Sequence, residues 1–316
     1  MTSTLARAVA SAVETVNRAG RILKVVQRSG SLGIIDKAIG DFQTEADRNA
    51  QVCIVESLSM KFPKMKIIAE EGHLEGLPLR EDWIVEAMSK DVLKETMPSS
   101  LADVQEEDIV CWVDPLDGTR DYAQGAIDHV TVLVGFAVRG RAVAGVIHQP
   151  FYGYNAEKDF IRSGRTAWGI VGVGVRGLRP RIPNSGFIVA TSRVRSQPAI
   201  DACIKSMRPT KVIRVAGAGY KMLLVLEGVA HTYLFPSAGL KKWDICAPEA
   251  LLVAAGGAVA DIHGNAIQYH AQADYPIWCG VLAARRKNDL QGYLKMIPKD
   301  VRKRMLINQE NTMDEL

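Results

Sequence analysis

The sequence predicts a mixed fold in which an α+β half is followed by an α/β half. From Leu5 to Val26, apolar residues recur every three or four positions, which is the spacing of an amphipathic helix. The apolar runs Val130–Val138 and Ala142–Ile147 flank a short Arg-Gly-Arg segment, a strong signal for a β-hairpin. Beyond Pro150, strand-like and helix-like patterns alternate. We therefore expect two subdomains, an N-terminal one over residues 1–155 and a C-terminal one over residues 156–316.

Before the hairpin, the pattern predicts a second helix, one short strand and a polar insertion. The second helix follows Gln43 and ends before Pro63, because proline cannot continue a helix. Lys66–Ala69 is a short apolar strand. The polar and acidic stretch 72–107 includes a further predicted helix around 83–93, and it is the best candidate for an insertion.

The second half of the chain alternates strands with helices, which is typical of an α/β subdomain. The expected strands are Gly186–Ala190, Val212–Val215, Thr232–Phe235, Ala258–Ile262 and Gly280–Ala284. The expected helices are Pro198–Met207, Gly219–Glu227, Ala247–Ala255 and Leu290–Met296.

A glycine-rich stretch matches the dinucleotide-binding fingerprint by letter, with Gly172, Gly174 and Gly177 in GxGxxG spacing. That fingerprint requires a helix directly after the glycines. Pro180 and Pro183 stand where this helix would run, and proline disrupts a helix interior. We interpret the stretch as a glycine-rich strand or bulge.

The composition of the chain indicates its cellular compartment and excludes some kinds of partner, but it does not indicate an activity. The chain has 316 residues, enough for a large core, and a mild net charge of +4. Its five cysteines are scattered without a CxxC pair, which is typical of reduced cysteines in a cytoplasmic protein. No apolar run approaches the length of a membrane span, and the basic residues are dispersed. We therefore expect a cytoplasmic protein with neither a membrane nor a nucleic acid as partner.

The most informative residues lie in the string Trp112–Tyr122. Asp114 and Asp117 stand three positions apart around Pro115, directly after a buried apolar run. Two carboxylates this close repel each other unless a cation lies between them, which favours a hard divalent metal. The hydroxyl of Thr119 is placed to face the same ion. An Asx-type turn that closes a hairpin explains the same letters, so the string alone leaves both interpretations open.

Further carboxylates occur at three other places in the chain. Glu70 and Glu71 follow a predicted strand, as Asp114 does. Asp244 precedes a predicted helix, where it is either a helix cap or a metal ligand, and Lys241-Lys242 beside it suit a phosphate. Asp47 lies on the second helix, where a single Asp is most often a solvated surface group.

Two strand-to-helix turns in the second half have the composition of anion cradles. The segment Thr191–Ser196 offers hydroxyls and two arginines ahead of a predicted helix. The segment Gly217–Lys221 places a flexible turn before a helix that carries a lysine in its first turn. Two such turns favour a phosphorylated ligand with more than one anionic group.

With these motifs in order, the chain resembles the magnesium-dependent, lithium-sensitive phosphatase superfamily that includes inositol monophosphatase and fructose-1,6-bisphosphatase. The motifs that carry the resemblance are Glu70-Glu71, Asp114–Thr119 and Trp243-Asp244. Within this superfamily, the chain is similar to the 3′(2′),5′-bisphosphate nucleotidase family over nearly its whole length. The resemblance implies a layered αβαβα sandwich of the inositol monophosphatase type.

The resemblance also implies a role for each residue of the site. The ligands of two or three Mg²⁺ ions would be Glu70, Asp114, the carbonyl of Leu116, Asp117 and Asp244, with Glu71 behind them. Asp47 and Thr119 would orient and deprotonate the attacking water. The substrate contacts would be Gly118, Thr119, Ser192, Arg195, Gly217 and Lys221. At Ser192 and Arg195 the family pattern has Thr and His, so the chain departs from its relatives in the substrate contacts.

The implied activity is removal of the 3′-phosphate from adenosine 3′,5′-bisphosphate by a metal-activated water, giving AMP. Inhibition by Li⁺ is implied as well. The alternative within the same chemistry is an inositol polyphosphate 1-phosphatase acting on inositol 1,4-bisphosphate. A catalytically inactive sensor of phosphorylated ligands is the third hypothesis, and the full set of carboxylates argues against it.

Overall fold

Helices and sheets alternate in five layers in the computed structural model, which describes residues 3–38, 41–74, 76, 80–154, 163–181, 186–193 and 198–305. The helices are α1 (Thr4–Ser29), α2 (Glu45–Lys61), α3 (Lys90–Leu93), α4 (Ser99–Ala102), α5 (Thr119–Ala123), α6 (Pro198–Met207), α7 (Ala218–Leu226), α8 (Lys242–Ala254) and α9 (Leu290–Lys295). The strands are β1 (Ile35–Ala38), β2 (Asp41–Gln43), β3 (Lys66–Ala69), β4 (Ile109–Asp117), β5 (Thr131–Val138), β6 (Arg141–Gln149), β7 (Arg165–Ile170), β8 (Gly174–Arg176), β9 (Ile188–Ser192), β10 (Lys211–Val215), β11 (Thr232–Phe235), β12 (Leu240–Lys241), β13 (Ala258–Ala260), β14 (Pro276–Ile277) and β15 (Val281–Ala284). This arrangement confirms the predicted αβαβα sandwich.

The first sheet has six strands in the order β3-β4-β5-β6-β7-β8. Strands β3 and β4 are parallel, and the other neighbours are antiparallel. The predicted hairpin is confirmed, with Arg139 and Gly140 both at positive φ between β5 and β6, as a two-residue type I′ turn requires. The glycine-rich stretch supplies β8, as the sequence predicts. The first sheet therefore extends to Arg176.

The second sheet has five strands in the order β10-β9-β11-β15-β13, with β9 parallel to both β10 and β11. Helix α6, which follows β9, packs through Cys203 and Met207 against the outer layer that contains α9. Helix α7, which follows β10, packs through Met222 on the inner side with Leu251 of α8. The helices after these two neighbouring strands thus cover opposite faces of the sheet.

Helix α8 lies unusually close to the first sheet because two glycines face it. A Cβ atom on Gly135 would lie 2.5 Å from the backbone nitrogen of Ala247, and one on Gly145 would lie 2.6 Å from its carbonyl oxygen. No larger side chain fits at either position without a shift of backbone. This close approach brings the first turn of α8 to the end of β4.

The helix predicted around residues 83–93 is wrong. The structure has a short 3₁₀ turn at Glu81–Trp83 and then only the single turn of α3. The backbone between them bonds to other elements, because Val85 binds the side chains of Ser57 and Lys61 and the N–H of Ser89 donates to Ala10. These groups are therefore not available for a helical ladder.

Two further features of the structure differ from the predicted elements. Helix α8 begins five residues before its predicted start, so that Asp244 lies inside its first turn. The small hairpin of β1 and β2 was not predicted. Among the helices of the described residues, none combines the length and the apolar character that crossing a membrane requires.

Candidate metal and phosphate site

Four carboxylates from three elements meet at one edge of the first sheet. Because β3 and β4 are parallel, their carboxyl ends lie side by side, and the N–H of Glu70 donates to the carbonyl of Val113 at 3.1 Å. The pairing of β4 with β5 is irregular between Asp114 and Asp117, where Pro115 lacks a donor. Here Asp114 lies near Glu70 and near Asp244, the fourth carboxylate, in the first turn of α8, whereas Asp117 turns to the N-terminus of α7.

The carboxylates repel one another in a buried setting. The carboxylates of Glu70, Asp117 and Asp244 all lie close enough to Asp114 for their charges to act on it. Burial, followed by the charges of the neighbouring carboxylates, holds the pKa values of Glu70 and Asp114 well above their ordinary range. The same causes raise the pKa of Asp244 to about 7. A bound cation would offset this repulsion, so the cluster has the electrostatic character of a cation site.

The donor atoms of the cluster fit a hard divalent ion. All are carboxylate oxygens, supplemented by the carbonyl oxygen of Leu116, and Mg²⁺ prefers such oxygen ligands. The N–H of Leu116 donates to Asp114 Oδ1 at 3.0 Å, which fixes the turn between the two aspartates of β4. Within the described ranges, no three acidic, histidine or cysteine side chains already surround a common point as a preformed ion cage.

Asp117 occupies the N-terminus of helix α7. Its carboxylate accepts hydrogen bonds from the N–H groups of Ala218 at 3.0 Å and Gly219 at 2.8 Å, and from the hydroxyl of Thr131 at 2.9 Å. Burial raises the pKa of Asp117, while Lys221 and these donors oppose the increase. The sequence predicted an open anion cradle here. In the structure, an internal carboxylate from β4 fills it, which ties α7 to the acidic cluster.

Asp47 and Thr119 lie together beside this cluster. Thr119 Oγ1 is 3.0 Å from Asp47 Oδ1 and 2.9 Å from the carbonyl oxygen of Leu116. The other oxygen of Asp47 accepts from the N–H and the hydroxyl of Thr44, at 2.7 and 2.5 Å, in the capping box that begins α2. Asp47 is fully buried and not on a solvated surface. Its burial raises the pKa of Asp47 to about 6, although the Thr44 hydrogen bonds oppose this.

Glu71 is held behind the cluster by three polar side chains. Lys37 Nζ lies 3.0 Å from both of its carboxylate oxygens, and Gln43 Nε2 donates to one of them at 2.5 Å. The backbone N–H of Glu71 donates to Gln51 at 2.9 Å. The hairpin of β1 and β2 supplies Lys37 and Gln43. It therefore fixes the strand end from which Glu70 reaches the cluster.

Three of the predicted substrate contacts, Thr119, Gly217 and Lys221, lie beside residues of the aspartate motif. Gly118 precedes α5, Ser192 ends β9 and Gly217 precedes α7, so all three stand at the ends of elements. Lys221 is buried, with Nζ 3.4 Å from the carbonyl of Val215, and burial lowers the pKa of Lys221 to about 8. Arg195 lies outside the described residues.

Gly217 is needed for its backbone shape as well as its size. Its φ angle is 69°, which L residues rarely adopt, and a Cβ atom would lie 2.9 Å from the carbonyl oxygen of His129 and 3.0 Å from Asp117 Oδ2. A larger residue would separate α7 from Asp117.

Two features of this site are not predicted by the sequence motifs. Arg193 forms an ion pair with Asp121 at 2.5 Å, and the rings of His129 and Tyr220 pack 4.4 Å apart. The arginine belongs to the predicted cradle segment, and the aspartate follows Thr119 by two residues, so both had a weak signal. In contrast, Lys242 does not face the cluster, because its ammonium group binds the backbone carbonyls of Asp274 and Pro276.

Known proteins are similar to this chain in sequence and in fold. A model described as the inositol monophosphatase family matches residues 2–301. Human 3′(2′),5′-bisphosphate nucleotidase 1 is 44% identical over 300 residues, which cover 94% of this chain and 96% of that protein. The protein of the same name from Rattus norvegicus is 43% identical, covering 96% and 97%. The solved structure of extragenic suppressor protein suhB from Bartonella henselae superposes with a TM-score of 0.64 at 22% identity, covering 92% and 97%, and so shares the fold.

Proposed function

The chain belongs to the inositol monophosphatase family, and on that premise we propose that it is a magnesium-dependent phosphatase of 3′(2′),5′-bisphosphates. Its reaction is removal of the 3′-phosphate from adenosine 3′,5′-bisphosphate, giving AMP and inorganic phosphate. The substrate class is that named in the relatives, which are similar along almost the whole chain. No comparable likeness favours inositol polyphosphates as the substrate.

The observation that carries this proposal is the convergence of carboxylates from β3, β4 and α8. Each belongs to a motif that the sequence singles out, and the fold brings all of them to one edge of one sheet. Buried carboxylates at such close quarters destabilise the protein unless protons or cations accompany them. Metal ions that bind these carboxylates and take part in the reaction would explain why the carboxylates are buried together.

The residues that would hold two or three Mg²⁺ ions are Glu70, Asp114, Asp117 and Asp244, with the carbonyl oxygen of Leu116. When bound, Mg²⁺ supplies positive charge that lowers the pKa of water and offsets the charge of a phosphate. Asp117 would contribute to this site while its hydrogen bonds to α7 keep it in position. We expect Li⁺ to inhibit the enzyme.

Thr119 and Asp47 together accept the proton of the attacking water. The hydroxyl of Thr119 takes that proton as it passes its own proton to Asp47 Oδ1, 3.0 Å away. A new bond forms between the water oxygen and phosphorus, and the ester bond to the sugar oxygen breaks. That oxygen takes up a proton from solvent water, and Asp47 afterwards returns its proton to solvent. The hydrogen bonds from Thr44 orient the Asp47 carboxylate, so the pair needs little rearrangement before the reaction.

The substrate lies in the crevice at the carboxyl ends of β9 and β10. Ligands of open α/β sheets bind where the helices after neighbouring strands leave on opposite faces, as α6 and α7 do here. Ser192 and Gly217 mark the two strand ends, and the buried ammonium of Lys221 adds positive charge beside Asp117. We include Arg195 among the substrate contacts, on the strength of the sequence resemblance.

The test is a comparison of two bisphosphates as substrates of the purified protein. Phosphate release is measured from adenosine 3′,5′-bisphosphate and from inositol 1,4-bisphosphate, with Mg²⁺, with EDTA, and with Mg²⁺ plus Li⁺. We expect Mg²⁺-dependent and Li⁺-sensitive turnover with a clear preference for the nucleotide. A preference for the inositol substrate would show that the substrate assignment is wrong, and activity that survives EDTA would show that the metal assignment is wrong.

A further inference from the structure

The ion pair between Arg193 and Asp121 joins the two sheets at the mouth of the proposed substrate crevice. Arg193 follows the last residue of β9, and Asp121 lies in α5, directly after the aspartate motif of β4. Arg193 Nη2 is 2.5 Å from Asp121 Oδ1. About half of the arginine side chain is exposed, whereas only 3% of the aspartate side chain is. The aspartate of the pair is therefore buried, and the guanidinium of the arginine is accessible to a ligand.

Asp121 bonds to Arg193 through only one of its two carboxylate oxygens. Its second oxygen, Oδ2, is buried and has no hydrogen-bond partner in the described part of the chain. A buried carboxylate oxygen without a partner destabilises the folded protein, and such groups are found where function requires them. The carboxylate of Asp121 thus fixes the position of the guanidinium while satisfying only half of its own hydrogen-bonding capacity.

Most of the N–H donors of the Arg193 guanidinium are available to a ligand. Over the described ranges, the bond to Asp121 is the one hydrogen bond that its side chain makes. A guanidinium group carries five N–H donors in a planar fork that matches two phosphate oxygens at once. Because the buried partner holds this fork at the crevice, little side-chain entropy is lost when a phosphate binds.

The two ends of the crevice have opposite charge. At one end lies the acidic cluster, which suits metal ions and the reacting phosphate. At the other end lies Arg193, paired with Asp121, and the buried ammonium of Lys221 interacts electrostatically both with Asp117 of the cluster and with Asp121. The rings of His129 and Tyr220, whose planes are tilted by 31°, pack against each other near both cations. A substrate with two phosphates needs a cationic site for the phosphate that does not react, and this second end provides one.

We propose that Arg193, held in place by Asp121, binds the non-reacting phosphate of the bisphosphate substrate and thereby selects bisphosphates. This inference rests on the proposed function. Arg193 is a binding residue, and Asp121 is a positioning residue that acts through it. For adenosine 3′,5′-bisphosphate, the phosphate bound by Arg193 is the 5′-phosphate, which remains on the product AMP.

The test compares Arg193→Met with the wild-type enzyme, both with Mg²⁺ present. We expect KM for adenosine 3′,5′-bisphosphate to rise about 10- to 100-fold, because a charge-assisted bidentate contact is lost, while kcat stays within about threefold. The Kd of AMP, measured by calorimetry, should rise by the same factor. The inhibition constant of inorganic phosphate should not change, because free phosphate binds at the acidic cluster.

Arg193→Lys keeps the charge beside Asp121 and guards against a failure of the methionine variant to fold. It should recover part of the affinity for AMP but not all of it, since an ammonium group lacks the fork. Asp121→Asn should weaken AMP binding less than Arg193→Met does, and the double variant should be no weaker than Arg193→Met alone. Arg286→Met is the matched control, because it breaks another exposed Arg–Asp pair, with Asp289 at 2.9 Å, away from the crevice.

Two results would overturn the inference. The first is an unchanged KM and an unchanged Kd of AMP in Arg193→Met. The second is a joint loss of kcat and of affinity for both AMP and inorganic phosphate, which would make the ion pair a support of the metal site. A wild-type enzyme that does not hydrolyse the bisphosphate would refute the proposed function instead, and the AMP calorimetry would still decide whether Arg193 binds a phosphate.

Discussion

Thr119 Oγ1 lies 3.0 Å from Asp47 Oδ1, although the two residues are 72 positions apart in the sequence. The contact joins the first turn of α2 to the end of the aspartate motif. Further hydrogen bonds hold both side chains in position. Asp47 accepts one from Thr44, and Thr119 is bonded to the carbonyl of Leu116. A buried carboxylate with a raised pKa next to an oriented hydroxyl is suited to accept a proton near neutral pH.

The first prediction concerns this proton-accepting pair. Thr119→Val should lower kcat about 10²- to 10⁴-fold, because the hydroxyl no longer links the attacking water to Asp47. KM should change little, and steady-state kinetics measures both quantities. Thr15→Val is the control, since it removes another buried hydroxyl, which donates to Ser11 within α1. If both variants kept full activity, Thr119 would have no part in the reaction.

The second prediction is an acid limb in the pH profile of kcat/KM. Burial raises the pKa of Asp47 to about 6, and only the ionised carboxylate accepts a proton. Activity should therefore rise as the pH increases through about 6 and then level off. The profile of Asp47→Asn should be low and should lack this limb. A wild-type rate that is constant from pH 5 to 8 would contradict the assignment.

The third prediction concerns the repulsion within the acidic cluster. In EDTA at pH 8, Asp114→Asn should raise the melting temperature, because it removes one of the buried carboxylates that repel each other. Mg²⁺ should stabilise the wild type strongly and the variant much less, by linkage to binding. Thermal unfolding with and without Mg²⁺ measures this difference. Equal stabilisation of the two proteins would exclude Asp114 as a ligand.

The fourth prediction is a pH-dependent stability that originates at Glu249, away from the metal ligands. Its carboxyl is buried against the hydroxyl of Tyr269 at 2.6 Å, and burial raises its pKa from an ordinary 4.5 to about 7. The folded state thus keeps this proton to higher pH than the unfolded state, so stability falls as the pH rises from about 4.5 to about 7. Glu249→Gln should be more stable than the wild type at pH 8 by about 2–3 kcal/mol, and by much less at pH 5. Urea denaturation at both pH values would test this, and an unchanged pH dependence would contradict it.

The fifth prediction compares two helical glycines. Gly20 of α1 faces the ring of His148 closely, whereas Gly292 of α9 has open space around its Cβ position. Gly20→Ala should destabilise the protein by about 1–3 kcal/mol through overpacking. Gly292→Ala should stabilise it by up to about 1 kcal/mol, because alanine is the better helix former. Denaturant unfolding measures both changes, and a stabilised Gly20→Ala variant would contradict the packing described for α1.

The sequence predicts the strand ends of the site well, because apolar runs followed by acidic residues are a local pattern. Lys66–Ala69 and the run before Asp114 are both strands in the structure. The burial of Asp47 depends on contacts far away in the chain, so local pattern could not establish it. Thr44 and Asp47 do have the spacing of a capping box, which indicates that Asp47 turns back towards the backbone.

The sequence does not predict which group occupies the N-terminus of α7. The sequence correctly indicates a helix after Gly217, with an N-terminus suited to an anion. Asp117, which lies 101 residues before Ala218, occupies that N-terminus in the structure. A helix N-terminus accepts an internal carboxylate and a bound phosphate by the same physics, so sequence alone cannot distinguish the two.

The most direct test of the metal-dependent mechanism is a Mg²⁺ titration of the metal-stripped enzyme with adenosine 3′,5′-bisphosphate as substrate. Phosphate release by the wild type should rise from the background to saturation as Mg²⁺ increases. At every Mg²⁺ concentration, Asp114→Asn should be at least about 100-fold slower while its circular dichroism spectrum remains that of the wild type. Hydrolysis that proceeds without Mg²⁺, or at the wild-type rate in Asp114→Asn, would contradict the central role of the carboxylate cluster.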